Sequence, residues 1–288
     1  MQWVVTLSSG NAEITDRVMR VEASDWLAAL RIARRQAGDQ GAALGLVCRI
    51  QADQSILVHD RDRRRVFSLR PAEPGEIVPA PSAHRPSVTR PSSSPGVSRL
   101  ATERAYPVHP ALAAEASRPP TQDAAVDVDG LLGSAYAHAQ DLEAQPSSAE
   151  AVGYALDIAV ALIPAEAGAV LLYDAEDGRV HFVATRGPKA LQIVGLTLAL
   201  GEGVAGFSVQ EGVALNVVDL AQSPHLRTAI DQGRGETRSV ASAPIWQGGR
   251  VVGALELVNR IGLAGSFTDG ELHVLNYLAR RLGERLDG

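Results

Sequence analysis

The stretch GEGVAGFSVQEGVALNVVDL, Gly201 to Leu220, constrains this chain more than any other. Gly201, Gly203 and Gly206 interrupt an apolar segment, so the backbone must turn tightly or take positive φ there before Val209 resumes a buried pattern. Downstream come Asp219, a polar loop containing Pro224, and two apolar runs, SVASAPIWQ and RVVGALELV, joined by Gly248-Gly249. Both members of such a pair can adopt the left-handed conformation that primed turns require, which predicts a β-hairpin. The three glycines also spell GxGxxG. They do not follow a strand in a βαβ unit, and no acidic residue stands where a ribose would need one, so a dinucleotide site is set aside.

Around this stretch the periodicity is clear. AGAVLLYD and RVHFVATRG alternate as strands about the turn AEDG, where Gly178 supplies the positive φ. Two helices precede them. VDGLLGSAYAHAQDLEA carries Leu131, Leu132, Ala135, Tyr136 and Leu142 near helical spacing, and SSAEAVGYALDIAVALIP opens with Ser148 as a cap candidate, while Ser147 to Glu150 fits a capping box. The last helix, DGELHVLNYLARRLGERL, places Leu272, Leu275, Leu278, Leu282 and Leu286 on one stripe, which must pack against something.

The order of glycine-rich turn, short strand, loop, hairpin, FTDGEL and helix resembles the GAF domain, a sensory module of signalling proteins, over about Ala149 to Leu286. The resemblance implies an α+β fold, a GAF-like antiparallel sheet with flanking helices. It also implies a small-molecule pocket between one sheet face and the loops crossing it, here LNVVDLAQSPHLRTAIDQGRGETRS. Val217, Leu220 and Ile230 are the apolar candidates for that pocket, with Asp219, Thr228 and Thr237 as polar ones. Against this, Val217 and Ile230 also read as ordinary core, and Asp219 as a cap for the following turn. GAF domains commonly pair through their first and last helices, so a homodimer is expected; alternatively the leucine stripe covers the domain's own sheet. ELVNRIGLAGSFTDGEL matches part of the cyclic-nucleotide-binding motif of the family at Asn259, Arg260 and Phe267. It departs from that motif in having Arg260 for lysine and in splitting the Asp-Glu pair into Asp269 and Glu271.

Chemistry is hard to find in the core. It has no cysteine, which removes thiol-linked bilin attachment and the cysteine-dependent sulfoxide reduction found in some relatives of the fold. None of His138, His181, His225 and His273 pairs with another ligand at zinc spacing, so no metal site is expected; His225 is the one candidate for holding haem. A catalytic set is absent, and the expectation is a non-enzymatic signalling protein that passes its output to an unidentified partner protein. The alternatives are an adaptor with a ligand-free GAF domain and a cyclic-nucleotide-binding regulator.

A chain of 288 residues exceeds one ordinary domain. Between Pro71 and Val126 lie 11 of its 16 prolines, among Ser, Ala and Arg, without apolar period; residues 71–126 are expected to be a disordered linker. It separates residues 1–70 from a GAF-like domain at 127–288. Residues 1–70 read as a small α+β module. WVVTL and VMRV are strands, Ser24 caps the helix SDWLAALRIARRQAG, Gly38 ends it, and GLVCRI, SILVH and RVFSL follow, the first two joined through Ala52-Asp53-Gln54. No family is recognised in this module. It holds 11 Arg against 8 acidic residues, a balance of +3 that is too small to predict nucleic-acid binding. Arg61, Arg63, Arg64 and Arg65 read as a solvated loop punctuated by Asp60 and Asp62 rather than a phosphate site. Cys48, the only cysteine, reads as a buried structural thiol. No apolar run reaches the roughly 20 residues of a membrane span, and no charged-then-apolar leader opens the chain, so a cytoplasmic protein is expected.

Overall fold

The computed structural model describes residues 1–9, 17–39, 46–60, 63–73, 128–233, 237–262 and 265–286. These fall into two compact units, residues 1–96 and 97–288. The expected linker, apart from its first three residues, lies outside the described residues, as does Arg61.

The first unit has the order ββαβββ. Strands β1 (Gln2–Ser9), β2 (Arg17–Glu22), β3 (Leu46–Ile50), β4 (Ile56–Asp60) and β5 (Arg65–Pro71) form an antiparallel sheet ordered β2-β1-β5-β4-β3. Helix α1 (Trp26–Gln36) packs on β1, β2 and β5 with Trp26, Leu27, Ala29, Leu30 and Ala33 buried. Its N-cap is Asp25, not Ser24: only from Asp25 does a side-chain oxygen reach Ala28 N, at 2.8 Å, and Ser24 Oγ donates to the same carboxylate. Gly38, at φ +81°, ends the helix as expected. Asp39 is buried and pairs with Arg34 at 2.8 Å and with Arg63, so one arginine of the loop cluster is tied into the unit. Cys48 is fully buried, and burial pushes its thiol up to about 12, which suits an inert core residue.

The second unit begins with α2 (Val128–Glu143) and α3 (Ser148–Leu162). Ser147, rather than Ser148, caps α3, accepting from Glu150 N at 3.2 Å while its hydroxyl donates to the Glu150 carboxylate. There follow β6 (Ala165–Asp174), β7 (Arg179–Arg186), α4 (Ala190–Ile193), β8 (Thr197–Ala199), α5 (Gly203–Glu211), β9 (Ala214–Val217), two 3-10 turns at Leu220–Gln222 and Pro224–Leu226, α6 (Ala229–Gly233), β10 (Val240–Gln247), β11 (Arg250–Arg260) and α7 (Asp269–Leu286). The sheet is antiparallel throughout, ordered β9-β10-β11-β6-β7-β8. Gly248 and Gly249, at φ +53° and +79°, make the predicted hairpin.

The two faces of this sheet differ. Ala243, Leu255 and Val170 are successive cross-strand partners, all fully buried on the face that α3 and α7 cover. A Cβ on Gly168 would meet Leu257, Leu156 and Val160, which shows how closely α3 sits there. Leu272, Leu275, Leu278 and Leu282 of α7 are fully buried in this packing and Leu286 partly so; the leucine stripe therefore covers the domain's own sheet. On the opposite face, Ala169, Leu171, Val180, Phe182 and Ala254 pack against Ala205 and Val209 of α5. α5 was not foreseen: the glycine-rich stretch turns at Gly201 (φ +84°) and Gly203 (φ +69°), then becomes helical at once. Gly206 lies inside this helix, where a Cβ would stand 2.8 Å from Ala199 O, so close approach rather than φ demands glycine there.

Candidate functional site

The loop-covered face of the second unit carries a cleft. Phe182 of β7, Val240 of β10 and Glu256 of β11 form its floor; Leu198 of β8 with Val204 and Ala205 of α5 form one wall; Thr228, Ile230 and Asp231, at the start of α6, form the other. The enclosed part of the cleft is small, about 10 Å³, or room for about one water, and the rest is open to solvent.

Alternation dictates the floor. In β11, Ala254, Glu256 and Val258 point away from the helix-covered face, so a single acidic residue inside the apolar run VVGALELV is delivered to the cleft. Glu256 is buried, at 7% exposure. Its cross-strand partner on β10, Ser242, shares that face, is fully buried, and its Oγ has no hydrogen-bond partner among the described residues. On the opposite wall Thr228 and Asp231 lock each other: Asp231 Oδ2 accepts from Thr228 N and from Thr228 Oγ1, both at 2.7 Å, and Asp231 N donates back to Thr228 Oγ1 at 3.2 Å. This reciprocal box opens α6 and holds the carboxylate in place.

Of the six residues expected at the pocket, the structure brings Thr228 and Ile230 to the cleft and leaves the other four elsewhere. Val217 and Leu220 are fully buried core. Asp219 caps the first 3-10 turn, its Oδ1 accepting from Ala221 N at 2.9 Å. Thr237 is buried but does not line the cleft. His225, the haem candidate, is exposed on the second 3-10 turn, and no histidine lines the cleft among the described residues. Neither Phe207 nor Trp246 enters it; Trp246 lies over Gly212.

The residues that carried the cyclic-nucleotide motif work at the join between β11 and α7 instead. Asn259, at φ +56°, accepts on Oδ1 from Arg238 N at 2.7 Å and donates from Nδ2 to Glu166 at 2.8 Å. That hydrogen bond, followed by the one from Arg238, holds the Glu166 carboxyl below its ordinary range. Arg260 Nε lies 3.1 Å from both Glu271 oxygens, and Glu271 in turn closes a capping box with Thr268. Phe267 is fully buried, and its carbonyl accepts from Asn216 Nδ2 at 2.7 Å. None of these side chains lines the cleft.

The hairpin between β6 and β7 brings together three side chains that the sequence spacing did not associate. Asp174, Asp177 and His181 each bring one potential ligand atom within 4.8 Å of the others, a convergence that was missed because the four-residue spacing of Asp177 and His181 matches no zinc motif in an extended strand. His181 Nε2 lies 2.8 Å from Asp177 Oδ2. The turn already uses part of this set: Asp177 Oδ1 accepts from Arg179 N and Asp174 Oδ1 from Glu176 N, both at 2.8 Å. The Arg179 bond, with His181 behind it, holds the Asp177 carboxyl below its usual range.

A six-stranded antiparallel sheet with a helical layer on one face and a loop-walled cleft on the other defines an α+β module. Residues 145–287 match the GAF domain family model, and this part of the chain is a GAF domain, of a family of signalling and sensor domains. The GAF domain of a phosphoenolpyruvate-protein phosphotransferase from Coxiella burnetii is similar at 21% identity and a TM-score of 0.50, covering 56% of this chain and 94% of that one. The corresponding domain from Acinetobacter is 17% identical with a TM-score of 0.48, covering 54% and 91%. Free methionine-R-sulfoxide reductase from Neisseria meningitidis, solved with its substrate, is also 17% identical with a TM-score of 0.48, covering 58% and 93%. No protein of curated function matches the chain. No described helix is long and apolar enough to cross a membrane.

Proposed function

We propose that this protein is a non-enzymatic, cytoplasmic signalling protein whose GAF domain binds a small molecule in the cleft over β7, β10 and β11 and passes the signal to a partner protein. The observation that carries this reading is a polar group on the cleft face. Ser242, fully buried on the sheet face that carries the cleft and cross-strand from the cleft-lining Glu256, keeps a hydroxyl with no partner among the described residues. Polar groups are rarely kept in such a place without something to meet them. Ligand binding at a hundred times the dissociation constant would stabilise the fold by roughly 2.7 kcal/mol. A thermal-shift screen of cyclic nucleotides, haem and common metabolites therefore tests the reading, with Ile230→Trp as the blocked control. A shift in the wild type that the control loses supports it; no shift with any compound favours the adaptor alternative.

Dimerisation belongs to the same proposal, but the interior leucines do not supply its seam. Tyr136 of α2 is 56% exposed and stands edge-on to Tyr277 of α7, with ring centroids 4.6 Å apart. This aromatic pair lies on the outer side of the α2–α7 layer and fits a partner helix pair. Light scattering at micromolar concentration should give a dimer for the wild type and a monomer for Tyr136→Glu.

A further inference from the structure

We infer that the β6–β7 hairpin binds a divalent transition-metal ion, Zn²⁺ first among them, through Asp174, Asp177 and His181. Alternation places two of the three. Asp174 pairs with Arg179 and Leu172 with His181 across the hairpin, so Asp174 and His181 are diagonal neighbours on one face of the sheet. The third, Asp177, comes from the turn, where Gly178 at φ +70° brings the chain back. One atom from each side chain then lies within 4.8 Å of the other two. The imidazole is held from both sides, because His181 pairs with Leu172 of β6 and with Thr197 of β8.

The backbone bonds of the turn do not use up this set. Each takes one carboxylate oxygen, Asp174 Oδ1 from Glu176 N and Asp177 Oδ1 from Arg179 N, which fixes both groups and leaves each Oδ2 for another partner. Asp177 Oδ2 meets His181 Nε2 at 2.8 Å, close to the spacing of adjacent ligands around an ion held at about 2.1 Å. Asp174 Oδ2 takes no bond from any described residue. An ion among these atoms replaces one hydrogen bond with three bonds to metal. Charge points the same way. Arg179, the cation beside the turn, sends Nε to Thr197 Oγ1 at 2.7 Å, and among the described residues neither carboxylate forms an ion pair with an arginine or lysine. The nitrogen donor sets the class of ion: calcium and magnesium take shells of oxygen, whereas an imidazole beside two carboxylates suits Zn²⁺ and its first-row neighbours. Three protein ligands leave the remaining position to water.

Calorimetric titration of the full chain with Zn²⁺, after stripping with a chelator, tests the site. Saturable binding at micromolar Zn²⁺ is expected, undisturbed by millimolar Mg²⁺. Asp174→Asn and His181→Gln should each weaken it by about tenfold or more, since the loss of even an outer partner of a metal ligand costs that much. His225→Gln, at an exposed histidine elsewhere in the domain, should leave it unchanged. Circular dichroism checks that each variant is folded, and the isosteric Asp174→Asn serves if the histidine variant is not. The inference is overturned if no saturable binding occurs, if a folded hairpin variant keeps the wild-type affinity, if His225→Gln loses the binding, or if Mg²⁺ displaces the zinc. None of these results bears on the cleft, whose ligand-binding reading has its own screen.

Discussion

The two faces of the GAF sheet are built from the same strands, yet they are closed in opposite ways. On one, α3 and α7 lie flat on Ala243, Leu255, Leu257 and Val170, and four leucines of α7 are wholly out of solvent. On the other, α5 covers part of the sheet and short capped turns approach the rest, leaving Glu256, Ser242 and an open cleft. Alternation along each strand makes this possible, because successive residues serve different neighbours. One face carries stability and the other is free to carry recognition.

The comparison breaks if substitutions on the two faces behave alike. Leu278→Ala, on the helix face, removes a fully buried side chain and should cost about 3 kcal/mol in chemical denaturation. Gly283→Ala comes next. Alanine is the better helix former, but the new Cβ would run into the Trp246 carbonyl where α7 crosses β10, so the fold should lose about 1–3 kcal/mol rather than gain. On the cleft face the sign reverses: Ser242→Ala deletes an unpartnered buried hydroxyl and should stabilise the ligand-free protein by up to about 1 kcal/mol. The smallest effect lies away from both faces, at Glu166. Its folded pKa is depressed, so its contribution is present above the unfolded carboxylate range and is lost as pH falls through the lower folded value. The side chain is 45% exposed, so the contribution should stay at about 0.5 kcal/mol or less and shrink in Asn259→Ala, which leaves only the Arg238 bond.

The helix face was the more legible in sequence. Helical spacing of Leu272, Leu275, Leu278 and Leu282 announces an apolar stripe, and Gly248-Gly249 announces the hairpin beneath it. Spacing cannot say whether the stripe meets its own sheet or a second copy, because both would select leucine. The first unit was legible in its element order, with the helix cap displaced by one residue from Ser24 to Asp25. α5 was hidden because GVAGFSVQE is apolar nearly all round and carries two glycines, so neither periodicity nor propensity marks it.

The cleft was only partly legible. Thr228 and Ile230 were found because they lie in the crossing loop, whereas Phe182, Val240 and Glu256 come from strands whose cleft-facing side is decided by the fold. A signal did exist for Glu256: it is the lone charge between Arg250 and Arg260, within an otherwise apolar and small run. Phe267 and Arg260, which seemed to point to a nucleotide, are explained by the join between β11 and α7.

Native mass spectrometry of the purified chain, run beside Ile230→Trp, tests most directly whether the cleft face is the recognition face. The wild type should carry an added small-molecule mass that is released on collisional activation, and the folded Ile230→Trp variant should lack it. A wild-type spectrum showing the bare chain alone, or an adduct that persists when the cleft is blocked, would contradict the account.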